Sequence, residues 1–421
     1  MNRYLWTLAW RSAWNRRLTL ALTMVSIALS TFMLLGTERV RTDLRGSFTS
    51  ALSGTDLIVG ARTGSTQLLL YSVFRIGSAT NNLRWSSVQS IAQQRGVAWI
   101  IPVSLGDSHR GFPVLGTDEN YLRHFKYGNR TPLRLAQGKP WADLFEAVIG
   151  SEVANRLGYR LGQRIALAHG SGELNLNDHA DKPFVIAGIL QATGTPVDRT
   201  VHISLQAMEA LHADWFAGAP IPGNRISAEA VRNIDLTPRA VTAVLVGLDN
   251  RAAVFSVQRA INGFQAEPLM AILPGVALDE LWGIIGAGEN ALLLMSGLVA
   301  LVSMAALVSV VLAGLGERRR ELAVLRAVGA SPKDIVLLLG IEGGLVTTGG
   351  IVVGVCALTA AALALGPWLQ SRFGLILDPT SPTELQFMLL GALLASGWLA
   401  SLVPGWRAYR LSLIDGLSPR T

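Results

Sequence analysis

The 421-residue chain is 50% hydrophobic, whereas charged residues make up only 15% of it, against roughly 25% in typical soluble domains. A net charge of +7 raises the possibility of nucleic-acid binding, but much of the positive excess lies beside apolar segments, which is typical of membrane proteins instead. The single cysteine, Cys356, excludes an intrachain disulfide and a structural zinc site built on thiolates.

The first residues, 1–17, are predicted to form a helix along the cytoplasmic surface of a membrane. Three tryptophans recur at a spacing of four, which places their indoles on adjoining parts of one helical face: Trp6, Trp10 and Trp14. Tryptophan favours the membrane–water interface, and Arg16 and Arg17 lie close by. The alternative is that this segment simply extends the first transmembrane helix.

Residues 18–36 are predicted to form the first transmembrane helix. The uncharged run LTLALTMVSIALSTFMLL at 18–35 approaches the roughly 20 apolar residues that a spanning helix needs. A cleaved signal peptide is the alternative, but its apolar core is usually about 7–15 residues long. The longer run therefore favours an uncleaved anchor.

Residues 37–285 are predicted to form a large mixed α/β domain outside the cytoplasm, inserted between the first and second transmembrane helices. The candidate strands are short, rich in Val and Ile, and bounded by Gly, Pro or Asp: 56–60, 97–105, 112–116, 147–150, 164–168, 184–190, 200–204 and 241–247. Helical patterns lie between them: 85–94, 151–157, 205–212 and 251–263. Ser204 and Ser151 are candidate N-caps for two of these helices.

The most apolar run of this domain is 68–74, LLLYSVF. Such a run suits either a surface that faces lipid or an amphiphilic cargo, or an ordinary buried element. Large apolar side chains of a folded domain are most often inside it, so we predict a buried element.

The sequence contains no motif that would make the chain an enzyme. A Walker A loop, an H-E-x-x-H zinc helix and a G-x-S-x-G nucleophile elbow are all missing, so we predict no catalytic and no cofactor-binding residue. The six histidines are scattered along the outer region: His109, His124, His169, His179, His202 and His212. Asp178, His179 and Asp181 together could contact a metal ion, but scattered histidines are more often polar surface residues, and we predict no metal site.

Three further apolar segments complete the predicted membrane region. They and their connections are, in chain order, a stalk with the second transmembrane helix at 286–316, a cytoplasmic loop at 317–334, the third transmembrane helix at 335–370, a short outer loop at 371–384, the fourth transmembrane helix at 385–406 and a tail at 407–421.

The charges of the connecting segments predict the orientation. Basic residues cluster before the first apolar segment, after the second and in the tail: Arg3, Arg11, Arg16, Arg17, Arg318, Arg319, Arg320, Arg326, Lys333, Arg407, Arg410 and Arg420. The loop at 371–384 has only Arg372. The positive-inside rule places both termini and the 317–334 loop in the cytoplasm. We therefore predict a multi-pass protein of the inner (plasma) membrane that contacts membrane lipid and no nucleic acid.

The 317–334 loop is predicted to contain a short amphipathic helix. Apolar residues recur along it at helical spacing: Leu322, Leu325 and Val328. Gly329 suits the left-handed residue that ends a helix, and Ser331 followed by Pro332 suits the cap and first turn of the next one. A rigid, capped helical hairpin at the membrane face can dock into a groove of a cytosolic partner.

The segment 316–342, GERRRELAVLRAVGASPKDIVLLLGIE, resembles a motif of the FtsX/MacB/LolC family of ABC transporter permeases, R-x-x-E-I-A-V-L-R-A-I-G-A-S followed by a helix bearing Glu. The segment 147–165 is similar to the family's outer-domain pattern of a strand, a helix ending in Leu-Gly, then Gly before another strand. Two further segments, 54–59 and 184–190, resemble strands of that domain. One helix, a large outer domain and three more helices is also the family's order.

The resemblance implies a permease that works as a homodimer or heterodimer with a dimer of cytosolic ABC ATPase subunits, which bind ATP in place of this chain. The residues that would contact the ATPase are Glu317, Arg318, Glu321, Leu322, Leu325, Arg326, Gly329, Ala330, Ser331 and Pro332. Glu342 would contribute to coupling on helix three, or would instead be a solvated or headgroup-level residue. ATP-driven closure would shift the outer domains on a lipoprotein, an adaptor or another extracytoplasmic partner, which is mechanotransmission rather than passage through a pore.

Two other functions are considered beside export, efflux or lipoprotein handling. One is the permease of a small-solute or metal-linked uptake system, against which the uncharged helix interiors argue, because charges inside membrane helices usually mark a substrate path. The other is a membrane-anchored scaffold that regulates an extracytoplasmic partner without ATP, against which the loop motif argues.

Overall fold

The computed structural model describes residues 17–51, 53–170, 179, 181–216, 219–220, 226–317, 329–373 and 383–410. These residues belong to two compact units. One comprises the described residues of Met1–Asp43, Gly286–Trp368 and Leu377–Thr421, and the other those of Leu44–Ile285 and Leu369–Ile376. We call them the helical unit and the outer unit.

Helices and strands of the described residues are numbered in chain order. The α-helices are α1 (Arg17–Ser50), α2 (Ser65–Ser72), α3 (Trp85–Ala92), α4 (Glu119–His124), α5 (Ser151–Leu157), α6 (Leu205–Leu211), α7 (Val254–Asn262), α8 (Pro274–Glu317), α9 (Pro332–Phe373) and α10 (Glu384–Arg410). Short 3-10 helices lie at Pro196–Arg199, Ala230–Asn233 and Arg251–Ala253. The strands are β1 (Leu57–Ala61), β2 (Leu83–Arg84), β3 (Val97–His109), β4 (Phe112–Thr117), β5 (Lys126–Tyr127), β6 (Thr131–Pro132), β7 (Leu135–Gly138), β8 (Glu146–Ile149), β9 (Arg164–Ile165), β10 (Ala168–His169), β11 (Phe184–Leu190), β12 (Val201–Ser204), β13 (Trp215–Phe216), β14 (Ala219–Pro220), β15 (Ala240–Val241), β16 (Ala243–Leu248) and β17 (Leu269–Ile272).

Four of the helices contain stretches that are long and apolar enough to cross a membrane: Leu20–Asp43, Pro274–Ser309, Pro332–Gly366 and Glu384–Val403. Each overlaps one of the four segments predicted to be a transmembrane helix, but the first runs on to Asp43 and the second already begins at Pro274, within residues predicted to belong to the outer domain. Large apolar side chains such as Leu294, Leu298 and Leu363 are exposed on them. Contiguous exposed apolar surface is unfavourable in water and is what a lipid-facing helix requires.

The helical unit is held together by an apolar core and by hydrogen bonds between α1 and α8. All four long helices contribute to the core: Leu20, Ile27, Leu34, Leu307, Ile335, Leu339, Val346, Ile351 and Leu393. The hydroxyl of Ser303 on α8 lies 2.9 Å from that of Ser26 and 2.7 Å from that of Ser30 on α1. Hydroxyl groups that are shielded from water need such partners, so these bonds help to fix the α1–α8 pairing.

Glycines of α9 allow the neighbouring helices to approach closely on two faces. A Cβ atom at Gly354 would lie only 2.6 Å from the carbonyl oxygen of Ala28, and one at Gly350 only 2.8 Å from the side chain of Ile27. On α10, a Cβ at Gly397 would collide with the side chain of Thr347. Small residues at such contacts let two backbones approach and gain dispersion contacts, as in other membrane helix pairs.

The outer unit is built on one large mixed sheet. Its strands are ordered β17-β1-β16-β3-β4-β12-β8-β11-β7, with β10 paired to β3 and β9 paired to β11. The β4–β12 and β8–β11 pairs are parallel, and the other pairs of this sheet are antiparallel. The predicted mixed α/β domain after the first long helix is therefore confirmed.

Both faces of this sheet are covered by apolar side chains. In β1, Ile58 belongs to one core cluster, whereas Leu57 and Val59 belong to another. In β8, Val148 points to the first face, and its neighbours in the strand join a third cluster. Successive side chains of a strand point to opposite faces. The first cluster therefore packs on one face of the sheet, and the other two clusters pack on the opposite face.

Most of the helices and strands predicted for this unit are present. Some predicted elements are divided in two in the structure. The strand at 184–190 and the helix at 151–157 have the predicted bounds. The predicted strand at 164–168 is instead two short strands, β9 and β10, because they pair with different partners, β11 and β3. The predicted helix at 251–263 begins as a 3-10 turn before α7.

Of the two predicted serine caps, one is confirmed and the other is wrong. The hydroxyl of Ser204 accepts a hydrogen bond from the amide of Ala207 and caps α6. Gly150 is the N-cap of α5, and Ser151 is already the first helical residue. Ser151 fails as a cap because the extended N-cap position lies one residue earlier, and its hydroxyl donates a hydrogen bond to the carboxylate of Asp198.

The apolar run at 68–74 is a buried element, as predicted. Its first five residues lie in α2, and Leu68, Leu69 and Tyr71 are almost fully buried against the sheet core. Val73 and Phe74, after the helix, are buried too. The run does not form a lipid-facing or cargo-facing surface within the structure.

Candidate functional site

Residues 329–332 of the predicted coupling segment lie in the part of the chain that the structure describes, and they contain the N-cap of helix α9. The amide and the hydroxyl of Ser331 both donate to Oδ2 of Asp334, each at 2.8 Å, and the amide of Asp334 donates back to the Ser331 hydroxyl at 3.3 Å. This is a capping box with Asp in the place of Glu. Pro332 is the first residue of α9, where its missing N–H is not needed. The predicted serine cap and first-turn proline are confirmed.

The glycine two residues before this cap has the predicted backbone conformation. Gly329 has a φ of +104°, a region that favours glycine, and Ala330 beside it is half-buried. Five predicted contact residues lie outside the described part of the chain: Arg318, Glu321, Leu322, Leu325 and Arg326. Glu317 is the last residue of α8, and its side chain is not described. The predicted amphipathic helix of this loop therefore stays a prediction.

The structure corrects one interpretation of Glu342. This residue lies within α9 and is only 4% exposed, so it is not a solvated side chain. The same helical turn packs closely against α10, because the hydroxyl of Ser401 donates to the carbonyl of Gly340 at 3.2 Å and a Cβ at Gly343 would collide with Ser401. Close approach of the two helices is the physical reason that this turn is shielded.

The outer-unit segment that carries the family-like pattern also folds as predicted. It runs from strand β8 through helix α5 to strand β9. Helix α5 ends at Gly158, which has a φ of +67° in the left-handed region, and Gly162 at φ +80° precedes β9. A residue with a side chain is strained in this conformation, which explains the glycine at each turn.

A polar cluster that sequence reasoning missed lies in the outer unit, and we call it the Asp107 cluster: Asp107, His169, His179 and His212. Strand β10 pairs with β3 so that His169 lies directly opposite Asp107, and its Nδ1 is 3.0 Å from Oδ1 of the aspartate. Nε2 of His212, just after α6, lies 3.3 Å from the same oxygen. One ligand atom each of Asp107, His179 and His212 lies within 4.8 Å of the others.

Burial and hydrogen bonding set the charges of the Asp107 cluster. Burial alone would raise the pKa of Asp107, but hydrogen bonds from His169 and His212 outweigh it and lower the pKa to about 2. Burial lowers the pKa of His179. For His212, the hydrogen bond and the charge of Asp107 outweigh burial and raise the pKa. The centre of the cluster is therefore an ionised carboxylate.

No sequence spacing connects the members of this cluster. They come from a strand, its short partner strand, a loop and the end of a helix, and only the pairing of β3 with β10 brings the first two together. The sequence motif that joined His179 to Asp178 and Asp181 did not identify it. Asp178 lies outside the described residues, and Asp181 is 3.9 Å from Nζ of Lys182.

Two solved structures are similar to part of this chain. The periplasmic region of MacB from Actinobacillus actinomycetemcomitans is 11% identical with a TM-score of 0.33, and the match covers 55% of this chain and 94% of that one. The extracellular domain of the noncanonical ABC-type transporter YknZ from Gram-positive bacteria is 11% identical with a TM-score of 0.29, over 52% of this chain and 99% of that one. No curated protein sequence matches the chain.

Two protein families match successive parts of the sequence. Residues 20–264 match the MacB-like periplasmic core domain, and this match covers more than half of the 421-residue chain. Residues 293–413 match the FtsX-like permease C-terminal domain, which includes the loop motif, α9 and α10. The chain therefore belongs to the family of ABC transporter permeases with a MacB-like periplasmic core domain and an FtsX-like permease domain.

Proposed function

We propose that this permease transmits movement from a cytosolic ABC ATPase to its outer unit, and that residues 317–332 are where the ATPase docks. Permeases of this family are membrane subunits that are generally non-catalytic, and they work with an ABC ATPase partner in which ATP is hydrolysed. The chain is a multi-pass protein of the inner membrane.

The observation that carries the proposal is the capped start of α9. Ser331, which belongs to the proposed docking segment, and Asp334, just beyond it, fix the first turn of this helix. Farther along, α9 packs against α1 at Gly350 and Gly354 and against α10 at Gly343. A rigid helix with close contacts on two sides passes a displacement of its end to its neighbours. Movement of the docking segment would therefore shift the whole helical unit.

The outer unit would be the receiving end of this movement. The chain passes from the outer unit to the helical unit within α8, which is continuous from Pro274 to Glu317, the residue where the docking segment begins. In this proposal, two copies of the permease, or this chain and a related one, work with two ATPase subunits. Their outer units act on an adaptor, a lipoprotein or another extracytoplasmic partner in export, efflux or lipoprotein handling.

Reversing one charge in the docking segment should abolish binding of the ATPase. We expect Arg326→Glu to prevent co-purification of the co-expressed cognate ATPase, because a docking helix loses its basic contact. Leu325→Pro should do the same, because proline inside a helix costs about 3 kcal/mol and removes a hydrogen bond. The measurement is the ratio of ATPase to permease after affinity purification in detergent.

Arg420→Glu is the matched control, since it makes the same charge change in the predicted cytoplasmic tail, outside the docking segment. It should leave the ratio unchanged. Each variant is first checked for an unchanged gel-filtration profile. ATPase that remains bound to both Arg326→Glu and Leu325→Pro would contradict the docking assignment.

The orientation that this function requires is tested by reporter fusions. Alkaline phosphatase, which is active only outside the cytoplasm, should be active when it is fused after Asp178 in the outer unit. Green fluorescent protein, which fluoresces when it folds in the cytoplasm, should fluoresce when it is fused after Lys333. This result follows from the positive-inside rule applied to the basic residues of the loop. The opposite pattern at the two sites would overturn the orientation.

A further inference from the structure

The Asp107 cluster has the distances of a metal site. In a tetrahedral zinc site, ligand atoms about 2.0–2.2 Å from the ion lie roughly 3.3 Å from one another. Oδ1 of Asp107 lies 3.3 Å from Nε2 of His212, and the reach to His179 is within 4.8 Å. The Asp107–His212 pair therefore already has the ligand–ligand distance of such a site, and His179 lies near enough to supply a third ligand.

Two buried polar atoms of this cluster lack a hydrogen-bond partner among the described residues. They are Oδ2 of Asp107 and Nε2 of His179. The two residues are 4% and 3% exposed, so water does not replace the missing partners freely. Leaving a buried donor or acceptor unsatisfied costs about 1–3 kcal/mol, and a bound metal ion is a partner that would satisfy both of these atoms.

The hydrogen bonding of His212 points Nε2 at the centre of the cluster. Its Nδ1 donates to the carbonyl oxygen of Met208 at 3.0 Å. A ring nitrogen that faces a carbonyl must carry the proton, so Nε2, which lies 3.3 Å from Oδ1 of Asp107, is the atom that would bind a metal ion after giving up its own proton. Metal-binding histidines usually have this arrangement, in which the outer nitrogen bonds to a carbonyl and fixes the ring.

The surrounding residues hold the ligands in place. Nζ of Lys182 forms a buried ion pair with Asp214 at 2.9 Å, which links the segment after His179 to the segment after His212. The Trp215 ring packs against the rings of His169, His179 and His212, with centroids 4.8–5.4 Å apart. These contacts hold the four side chains close together before any ion binds, which favours binding.

We propose that Asp107, His179 and His212 form a binding site for a divalent transition-metal ion, Zn²⁺ first of all, in the outer unit. Two imidazoles and one carboxylate suit Zn²⁺, and a site with three protein ligands keeps a fourth position for His169 or for a solvent-derived ligand. The oxygen-only ligand sets that Mg²⁺ and Ca²⁺ prefer are not present in it. This site is independent of the proposed ATPase docking and departs from the sequence prediction of no metal site.

The test is direct metal binding by the full chain in detergent after chelator treatment. Zn²⁺ is titrated, and bound metal is counted by mass spectrometry after gel filtration. We expect one Zn²⁺ per chain, no retention of Mg²⁺, and the intense visible absorption of a tetrahedral centre when Co²⁺ replaces Zn²⁺. His212→Ala and Asp107→Asn should each weaken Zn²⁺ binding by at least about tenfold, since even loss of an outer partner of a ligand costs about 10–100-fold.

His124→Ala is the matched control, because it removes a histidine of the outer unit whose ring stacks on Trp99, outside the Asp107 cluster. It should bind Zn²⁺ like the wild type. Circular dichroism of the metal-free proteins shows whether each variant folds. If His212→Ala does not fold, Asp107→Asn still tests the site, because it keeps the size of the buried side chain. Wild-type affinity in Asp107→Asn, an equal loss in His124→Ala, or no stoichiometric Zn²⁺ in the wild type would each overturn the proposal.

Discussion

Gly354→Leu is expected to disrupt the helical unit. The first side-chain carbon at this position would lie 2.6 Å from the carbonyl oxygen of Ala28 and 2.7 Å from Cβ of Thr31, so α1 and α9 would have to move apart. Inserting side-chain atoms into a well-packed contact costs about 1–3 kcal/mol and occasionally more. We expect the upper end here, because one of the neighbours is backbone and cannot change rotamer.

The measurement is the thermal midpoint of the detergent-solubilised chain together with its gel-filtration profile. Gly366→Leu is the matched control, because Gly366 lies on the same helix and nothing lies within 4 Å of a Cβ built there. The control should change stability by less than about 0.5 kcal/mol, as surface substitutions usually do. Equal midpoints for the two variants would show that α1 does not pack on Gly354.

The number and the order of the long helices could be predicted from the sequence, because both depend on the length and composition of the apolar stretches. An uncharged apolar stretch of about 20 residues has few alternatives to a membrane helix, and each of the four stretches gave one. Which glycines pack and which stay open could not be predicted. Gly354 and Gly366 both lie among apolar residues in the sequence, and the position of α1, which packs on Gly354, distinguishes them.

Helices and strands of the outer unit could be predicted where neighbouring residues determine them. The strand at 184–190 is apolar and ends at turn residues, and Ser204 precedes an apolar helix that it can cap. Ser151 failed as a cap because the N-cap position lies one residue earlier, at Gly150, where the chain packs so closely that a Cβ would lie 2.3 Å from the carbonyl oxygen of Asp198. A close tertiary contact of this kind is not visible in one sequence.

The proposed docking segment and the Asp107 cluster also differ in how far the sequence could predict them. The proposed docking segment is contiguous, so its motif could be recognised from the order of residues, and its described end at Ser331 and Pro332 has the predicted cap. The Asp107 cluster is discontinuous. It exists because His169 pairs with Asp107 across two strands and because α6 ends beside them at His212. Long-range pairing of this kind has no signature in spacing.

Lys182→Met is expected to destabilise the outer unit by about 3–5 kcal/mol, the usual cost of removing one partner of a buried ion pair. Nζ of Lys182 is 2.9 Å from Asp214, and the two side chains are only 1% and 7% exposed. Without the lysine, the carboxylate of Asp214 would lose its counter-charge and keep a neutral partner in the amide of Ile226 at 3.3 Å. The measurement is urea unfolding of the detergent-solubilised chain, followed by tryptophan fluorescence in the presence of a chelator.

Lys139→Met is the matched control, because the same substitution there removes an exposed ion pair with Glu146, in which the lysine is 65% exposed. Exposed pairs contribute about 0–1 kcal/mol, so the control should unfold close to the wild-type midpoint. The double variant Lys182→Met with Asp214→Leu should regain much of the lost stability, since an apolar pair leaves no buried charge without its counter-charge. If Lys182→Met unfolded at the same urea concentration as Lys139→Met, Lys182 would not be neutralising a buried carboxylate. The Lys182–Asp214 ion pair would then not be what links the segments that carry His179 and His212.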